Sequence, residues 1–141
     1  MIEIRPCRLE ECGAVLALWV RAGAIPSATD TLEEVTRLVR DHTDHLLVAI
    51  QQGAVVGSII GGWDGWRGNI YRLAVAPEAR RAGLARQLVR AAEDALSAKG
   101  ARRFSALVER HEAHALGFWD ALADSGWHRD ERMLRYIKNS E

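Results

Sequence analysis

The run Val75-Ala76-Pro77-Glu78-Ala79-Arg80-Arg81-Ala82-Gly83-Leu84-Ala85 has the residue types and spacing best suited to binding chemistry. An apolar, strand-like stretch leads into a glycine-bearing turn, and a helical pattern begins directly behind it. Such a turn presents unpaired backbone N–H groups at the positive end of a helix, which suits a phosphate. Gly83 lets a phosphate approach the main chain, and Ala82 and Ala85 keep the surroundings small. Arg80, Arg81, Arg86 and Arg90 add positive charge. Two histidine pairs, His42 with His45 and His111 with His114, share a spacing of three. Neither has a cysteine or a third fixed ligand beside it, so no metal site is expected. Cys7 and Cys12, the only cysteines, read as two reduced thiols in a chain long enough to fold without disulfide staples.

The elements that must position this turn follow from hydrophobic periodicity. Ile2 and Ile4 alternate with Glu3 and Arg5, predicting a short first strand ended by Pro6. Leu9 to Arg21 fits an amphipathic helix, which Gly23, Pro26 and Ser27 interrupt. Thr31 followed by Glu34 has the form of a capping box and opens a second helix to about Arg40. Loop and helix together are expected to form a lid. Leu46 to Ile50 and Val55 to Ile60 read as a hairpin turning at Gln51, Gln52 and Gly53, and a central strand runs from Asn69 to Val75. Ala82 to Ala98 is a helix stopped by Gly100, followed by a strand from Phe104 to Val108. A last helix is expected from about Glu112 to Ala123, and a last strand from Met133 to Ile137. A crossover helix between the central strand and the next implies a parallel pair, hence an α/β or α+β sheet covered by helices.

At 141 residues the chain suits one domain with its own core. Nineteen basic residues balance nineteen acidic ones, so no long-range field argues for nucleic acid or an anionic membrane, and any basic patch must be local. No apolar stretch is long enough to span a bilayer, and Met1 to Pro6 does not have the make-up of a secretory leader; a cytoplasmic protein is expected.

The turn resembles the signature of the GNAT superfamily of N-acetyltransferases: Gln or Arg, two residues, Gly, one residue, then Gly or Ala, matched here by Arg80, Gly83 and Ala85. The match runs upstream through Tyr71, Arg72, Leu73, Ala74, Val75 and Pro77. Downstream it takes in Leu107, Val108, Ala115, Phe118, Trp119 and the Gly126-Trp127 pair, so the resemblance covers nearly the whole chain. It implies a single GNAT-like domain over residues 1–141 with a mixed, splayed central sheet. It also implies transfer of an acetyl group from acetyl-CoA to a primary amine of a small molecule or protein, by direct attack in a ternary complex. The cofactor would bond the backbone of Leu73, Ala74 and Val75, seat its pyrophosphate on Arg80, Arg81, Ala82, Gly83, Leu84, Ala85 and Arg86, and touch Phe118 and Trp119. The acceptor would approach Trp19, Pro26, Trp63 and Arg72. Family members are often dimers, so the resemblance admits a homodimer, while the sequence itself leaves the oligomeric state open.

The resemblance also exposes departures. Many relatives carry a glutamate base at the start of the central strand, where this chain has Asn69, leaving Asp64, Glu112 and water chains as the candidates. A tyrosine acid is often found on the last helix where Trp119 stands, and an indole cannot serve as that acid. These substitutions admit a second reading, a coenzyme-A-binding regulatory module with little turnover.

Overall fold

The computed structural model describes residues 1–140, which form two compact units, the first spanning Met1–Ala106 and the second beginning at Leu107. In the first unit β1 (Ile2–Pro6) is followed by a 3-10 turn at Leu9–Glu11 and α1 (Cys12–Arg21). Next come α2 (Leu32–Asp41), β2 (Leu46–Gln51), β3 (Ala54–Trp63), β4 (Gly68–Val75), a 3-10 turn at Pro77–Ala79, α3 (Leu84–Ala98) and β5 (Phe104–Ala106). The sheet order is β1-β2-β3-β4-β5, antiparallel except for the parallel β4–β5 pair that the crossover helix α3 makes necessary. The expected mixed α/β architecture is thus present.

Local chemistry sets most of the boundaries. The Thr31 side chain accepts from the Glu34 amide at 3.2 Å and fixes the start of α2. Gln52 and Gly53 both have positive φ, 50° and 78°, as a two-residue turn between right-twisted strands requires. At the end of α3 the carbonyls of Leu96 and Ser97 accept from the amides of Lys99, Gly100 and Ala101, with Gly100 at φ 111°.

Helix α3 covers one face of the sheet, burying Leu84, Leu88, Val89, Ala92 and Leu96. It lies close because the strands beneath it carry glycine. A Cβ at Gly57 would stand 3.0 Å from Leu88, one at Gly61 3.3 Å from Leu96, and one at Gly68 2.7 Å from Leu96. Helix α1 lies on the other face, where buried Trp19 donates its indole N–H to Ser58 of β3 at 2.9 Å.

The second unit holds α4 (Ala113–Ala121) and a 3-10 turn at Leu122–Ser125. Two expectations are corrected by the structure. The strand beginning at Phe104 ends at Ala106 rather than Val108, because its ladder to β4 has only three residue pairs. Residues 133–137 form no strand: Met133, Leu134, Tyr136 and Ile137 are exposed and no neighbouring strand pairs with them. Apolar alternation favours a strand only where a ladder partner receives its N–H and C=O groups.

Candidate active site

The turn expected to receive a phosphate lies between the end of β4 and the start of α3. Gly83 is the N-cap of α3 at φ 78°, and a Cβ placed on it would meet nothing within 4 Å. The position is open and left-handed, so the turn favours glycine for its backbone and leaves room for a ligand. Behind it, the first-turn amides of α3, starting at Leu84, have no intrahelical acceptors. A phosphate is the group such a cradle fits.

The arginines of the turn divide by role. Arg80 donates from Nε to the Val75 carbonyl and from a terminal nitrogen to the Ala22 carbonyl, both at 3.2 Å. Its guanidinium ties the turn to the end of α1. Arg81 is exposed at φ 70°, beside exposed Ala82, and Ala85 and Arg86 are half-buried. Leu84 points the other way, into the core.

Strand β4 is interrupted by a β-bulge. Ile60 pairs with Tyr71 and Ser58 with Ala74, so Ile59 opposes both Arg72 and Leu73. The extra residue is Arg72, held at φ 51°. Ser58, fully buried, secures it by donating its hydroxyl to the Arg72 carbonyl at 3.1 Å while accepting from Trp19. Pairing of β4 with β5 ends at Ile70–Ala106, so the edge of β4 that faces β5 is not laddered to it from Tyr71 to Val75. The backbone of Leu73, Ala74 and Val75 lies on this stretch.

On the α1 face the Arg72 side chain organises the loop between α1 and α2. It donates to the Ile25 carbonyl at 2.8 Å and to the Ser27 hydroxyl at 3.4 Å, and forms a two-nitrogen ion pair with Asp30. Its guanidinium also stands 5.4 Å from the Trp19 ring centroid. Three of the four predicted acceptor residues, Trp19, Arg72 and exposed Pro26 in the loop, therefore come together. Trp19 forms the buried backing of this wall. Trp63 does not join them: it pairs with Gly68 and turns to the α3 face, its ring 3.9 Å from where a Cβ on Gly100 would stand.

Asp64 caps the β3–β4 turn. Its carboxylate accepts from the amides of Arg67 at 2.7 Å and Trp66 at 2.8 Å, and from the Asn69 side chain at 3.3 Å. The Arg67 amide, then the Trp66 amide and the Asn69 side chain, hold the carboxyl below its usual range, so Asp64 is a weaker base than a solvated carboxylate. Asn69 in turn accepts the Ser105 hydroxyl at 3.2 Å, bridging β4 and β5.

In the second unit the Glu112 carboxylate accepts from the His114 amide at 3.4 Å and caps α4. Phe118 meets Trp119 edge-on at 5.5 Å, and Trp119 meets Trp127 edge-on at 4.9 Å, forming an aromatic cluster.

Ser58 and Asp30 did not stand out in the sequence. Ser58 carried a signal, a lone hydroxyl in the apolar run Val55-Val56-Gly57-Ser58-Ile59-Ile60. Asp30 had none, because its partner is 42 residues away.

The acetyltransferase (GNAT) family model matches residues 8–123. An acetyltransferase of Pectobacterium atrosepticum is 33% identical over 121 residues, covering 86% of each chain. Among solved structures, the aminoglycoside N-acetyltransferase AAC(6′)-Iy bound to a bisubstrate analogue of coenzyme A superposes with a TM-score of 0.75 at 20% identity, over 99% of both chains. The ribosomal-protein-S18-alanine N-acetyltransferase of Escherichia coli does so with a TM-score of 0.68 at 20% identity, over 86% of this chain and 76% of that one. At these identities the solved structures establish the fold. The family model and the Pectobacterium relative go further: the chain belongs to the GNAT family of acetyltransferases, acyl-transferring enzymes whose co-substrate is acetyl-CoA.

Proposed function

We propose that this enzyme moves the acetyl group of acetyl-CoA onto a primary amine of a small molecule or protein, by direct attack in a ternary complex. The observation that carries the reading is the Gly83 turn, an open, left-handed N-cap at the end of a strand whose β5-facing edge is free of that ladder beyond Ile70. The amides from Arg81 to Ala85 hold the pyrophosphate, with Arg81 and Arg86 adding charge. The backbone of Leu73, Ala74 and Val75 holds the pantetheine arm as an added strand would be held. When bound, acetyl-CoA supplies an acyl group activated as a thioester.

The amine approaches along the α1 face, against the loop that Arg72 fixes and that carries Pro26. An alkylammonium of pKa about 10 must lose a proton before it attacks. Asp64 stays ionised and steadies the ammonium through water, and water carries the proton away. Glu112, in the second unit, stays a candidate base through the family resemblance alone. Phe118 and Trp119 are assigned to cofactor contact by the family resemblance. Trp119 has no acidic proton to give, but a leaving thiol of pKa about 8.5 needs little help.

Two buried, unpaired thiols, Cys7 and Cys12, support a reducing, cytoplasmic location. Among the described residues no helix is long and apolar enough to cross a membrane. The exposed apolar side chains of Met133, Leu134, Tyr136 and Ile137 support a homodimer.

The test is release of free thiol from acetyl-CoA across a panel holding a polyamine, an aminoglycoside, a lysine peptide and a peptide with a free N-terminus. Release above hydrolysis with any of them supports the reading. Tight acetyl-CoA binding with no release from any would favour the regulatory module, which the weak basicity of Asp64 and the amide at Asn69 also favour.

A further inference from the structure

A second concave site lies on the first unit, at the far end of α3 from the phosphate turn. It is a groove of about 490 Å³ lined by Trp63, Trp66, Arg67, Lys99, Arg102 and Arg103, together with glycines. Helix α3 has 15 residues, which at 1.5 Å each puts about 22 Å between its two ends. The groove is also on the opposite face of the sheet from the Trp19–Arg72 wall, because Trp63 and Gly68 turn toward α3. None of its lining residues belongs to the phosphate turn or to the Trp19–Arg72 wall.

Its chemistry is specific. Four cations gather here in a chain whose net charge is zero. Two carboxylates are near, and both are engaged: Asp44 pairs with Lys99 at 2.8 Å, and Asp64 is held by the turn amides. Arg102 and Arg103 are exposed, and among the described residues no carboxylate pairs with them. The helix carbonyls that would repel an anion are covered, since Leu96 and Ser97 accept from the amides of Lys99, Gly100 and Ala101. Trp66 is 69% exposed, and the Arg67 guanidinium lies 3.9 Å from its ring centroid. A large aromatic ring left in water and stiffened by a stacked arginine is a platform for another flat ring.

We infer that this groove binds a nucleotide, with the base stacked on Trp66 and the phosphate held by Arg102 and Arg103. The nucleotide is either a free nucleoside phosphate or one unit of a single-stranded RNA; the recognition chemistry is the same. An acidic peptide would use the arginines but would leave the Trp66 face unoccupied.

The experiment is calorimetry and fluorescence anisotropy on the full chain, with saturating coenzyme A present so that the phosphate turn is filled. The probes are ADP, a 5′-phosphorylated single-stranded hexaribonucleotide, and poly-glutamate. Binding of ADP and the hexanucleotide to a similar degree indicates the free nucleotide; binding of the hexanucleotide well above ADP indicates the strand. In either case Trp66→Ala should weaken binding by about tenfold, the usual worth of one stacked base, and should do so without changing coenzyme A affinity. Arg102→Glu with Arg103→Glu should abolish it, and unchanged melting temperatures would show that both variants fold. The inference is overturned if neither probe binds once coenzyme A is present, if poly-glutamate binds as well as the nucleotides, or if the folded variants bind normally.

Discussion

Replacing Ser58 by alanine removes one hydroxyl, and the structure says what that hydroxyl does. It accepts the Trp19 indole N–H at 2.9 Å and donates to the Arg72 carbonyl at 3.1 Å, in a place with no solvent exposure. The variant leaves a buried indole donor without an acceptor, a cost of about 1–3 kcal/mol, and loses a carbonyl hydrogen bond worth about 1 kcal/mol. A total of about 2–4 kcal/mol is expected. For 141 residues the unfolding entropy is about 0.3 kcal/mol per kelvin, so the melting temperature should fall by about 7–13 °C. Calorimetry on Ser58→Ala, Trp19→Phe and the double variant isolates the bridge, with an interaction energy of about 1–2 kcal/mol expected between the two sites. Activity gives a separate readout. A loosened bulge at Arg72 should raise the KM for the amine, because Arg72 also holds the loop through Ile25, Ser27 and Asp30. A drop of less than about 2 °C, too small for a stranded buried donor, or strict additivity of the two substitutions would refute the bridge.

Other outcomes follow from the same structure. Gly83→Glu should fold, since a Cβ there meets nothing within 4 Å and the left-handed backbone costs about 1–2 kcal/mol, yet give no calorimetric signal with acetyl-CoA; undiminished affinity would remove the turn from the site. Arg81→Ala should weaken coenzyme A binding and its salt dependence with little change in melting, whereas Arg80→Ala should lower both affinity and melting temperature, because Arg80 bonds the Val75 and Ala22 carbonyls. Gly68→Ala should destabilise by about 1–3 kcal/mol in urea unfolding, as its Cβ would stand 2.7 Å from Leu96 Cδ1 and 3.0 Å from Phe104 Cδ1; a neutral result would mean that these side chains turn aside without loss of packing. Glu11 is held at a pKa of about 2, chiefly by its hydrogen bonds from Arg5, against 4.5 when free. Its pairing therefore stabilises above pH 4.5 and is lost as the pH falls toward 2; after allowance for screening it is worth about 1–2 kcal/mol, and Glu11→Gln should flatten the acid limb of a stability–pH curve by that amount.

Much of the fold was legible because its signals are local. The Gly83 turn could be read directly, since a left-handed N-cap between a strand and a helix selects glycine whatever surrounds it. The same holds for Thr31 capping α2 and for the Gln52–Gly53 turn, where the residues that make the geometry are adjacent in the chain. From these and the periodicity of α3, the order of elements in the first unit and its parallel pair follow, and with them the turn proposed to receive the pyrophosphate.

What the tertiary structure alone decided depends on partners far apart in sequence. No local preference puts an arginine at φ 51°; the bulge at Arg72 exists because β4 must match the register of β3 on both sides of Ile59, and Ser58 and Asp30 hold it there. Trp19 and Trp63 are both acceptor candidates in the sequence, yet one is buried behind Ser58 and the other turns to the α3 face beside a basic groove. Residues 133–137 have the alternation of a strand and no ladder partner, so they form none. Helices and turns close their hydrogen bonds within a few residues and can be read from one segment; strand register, bulges and the face a side chain joins are fixed by hydrogen bonds to residues elsewhere, and those are specified only when the sheet assembles.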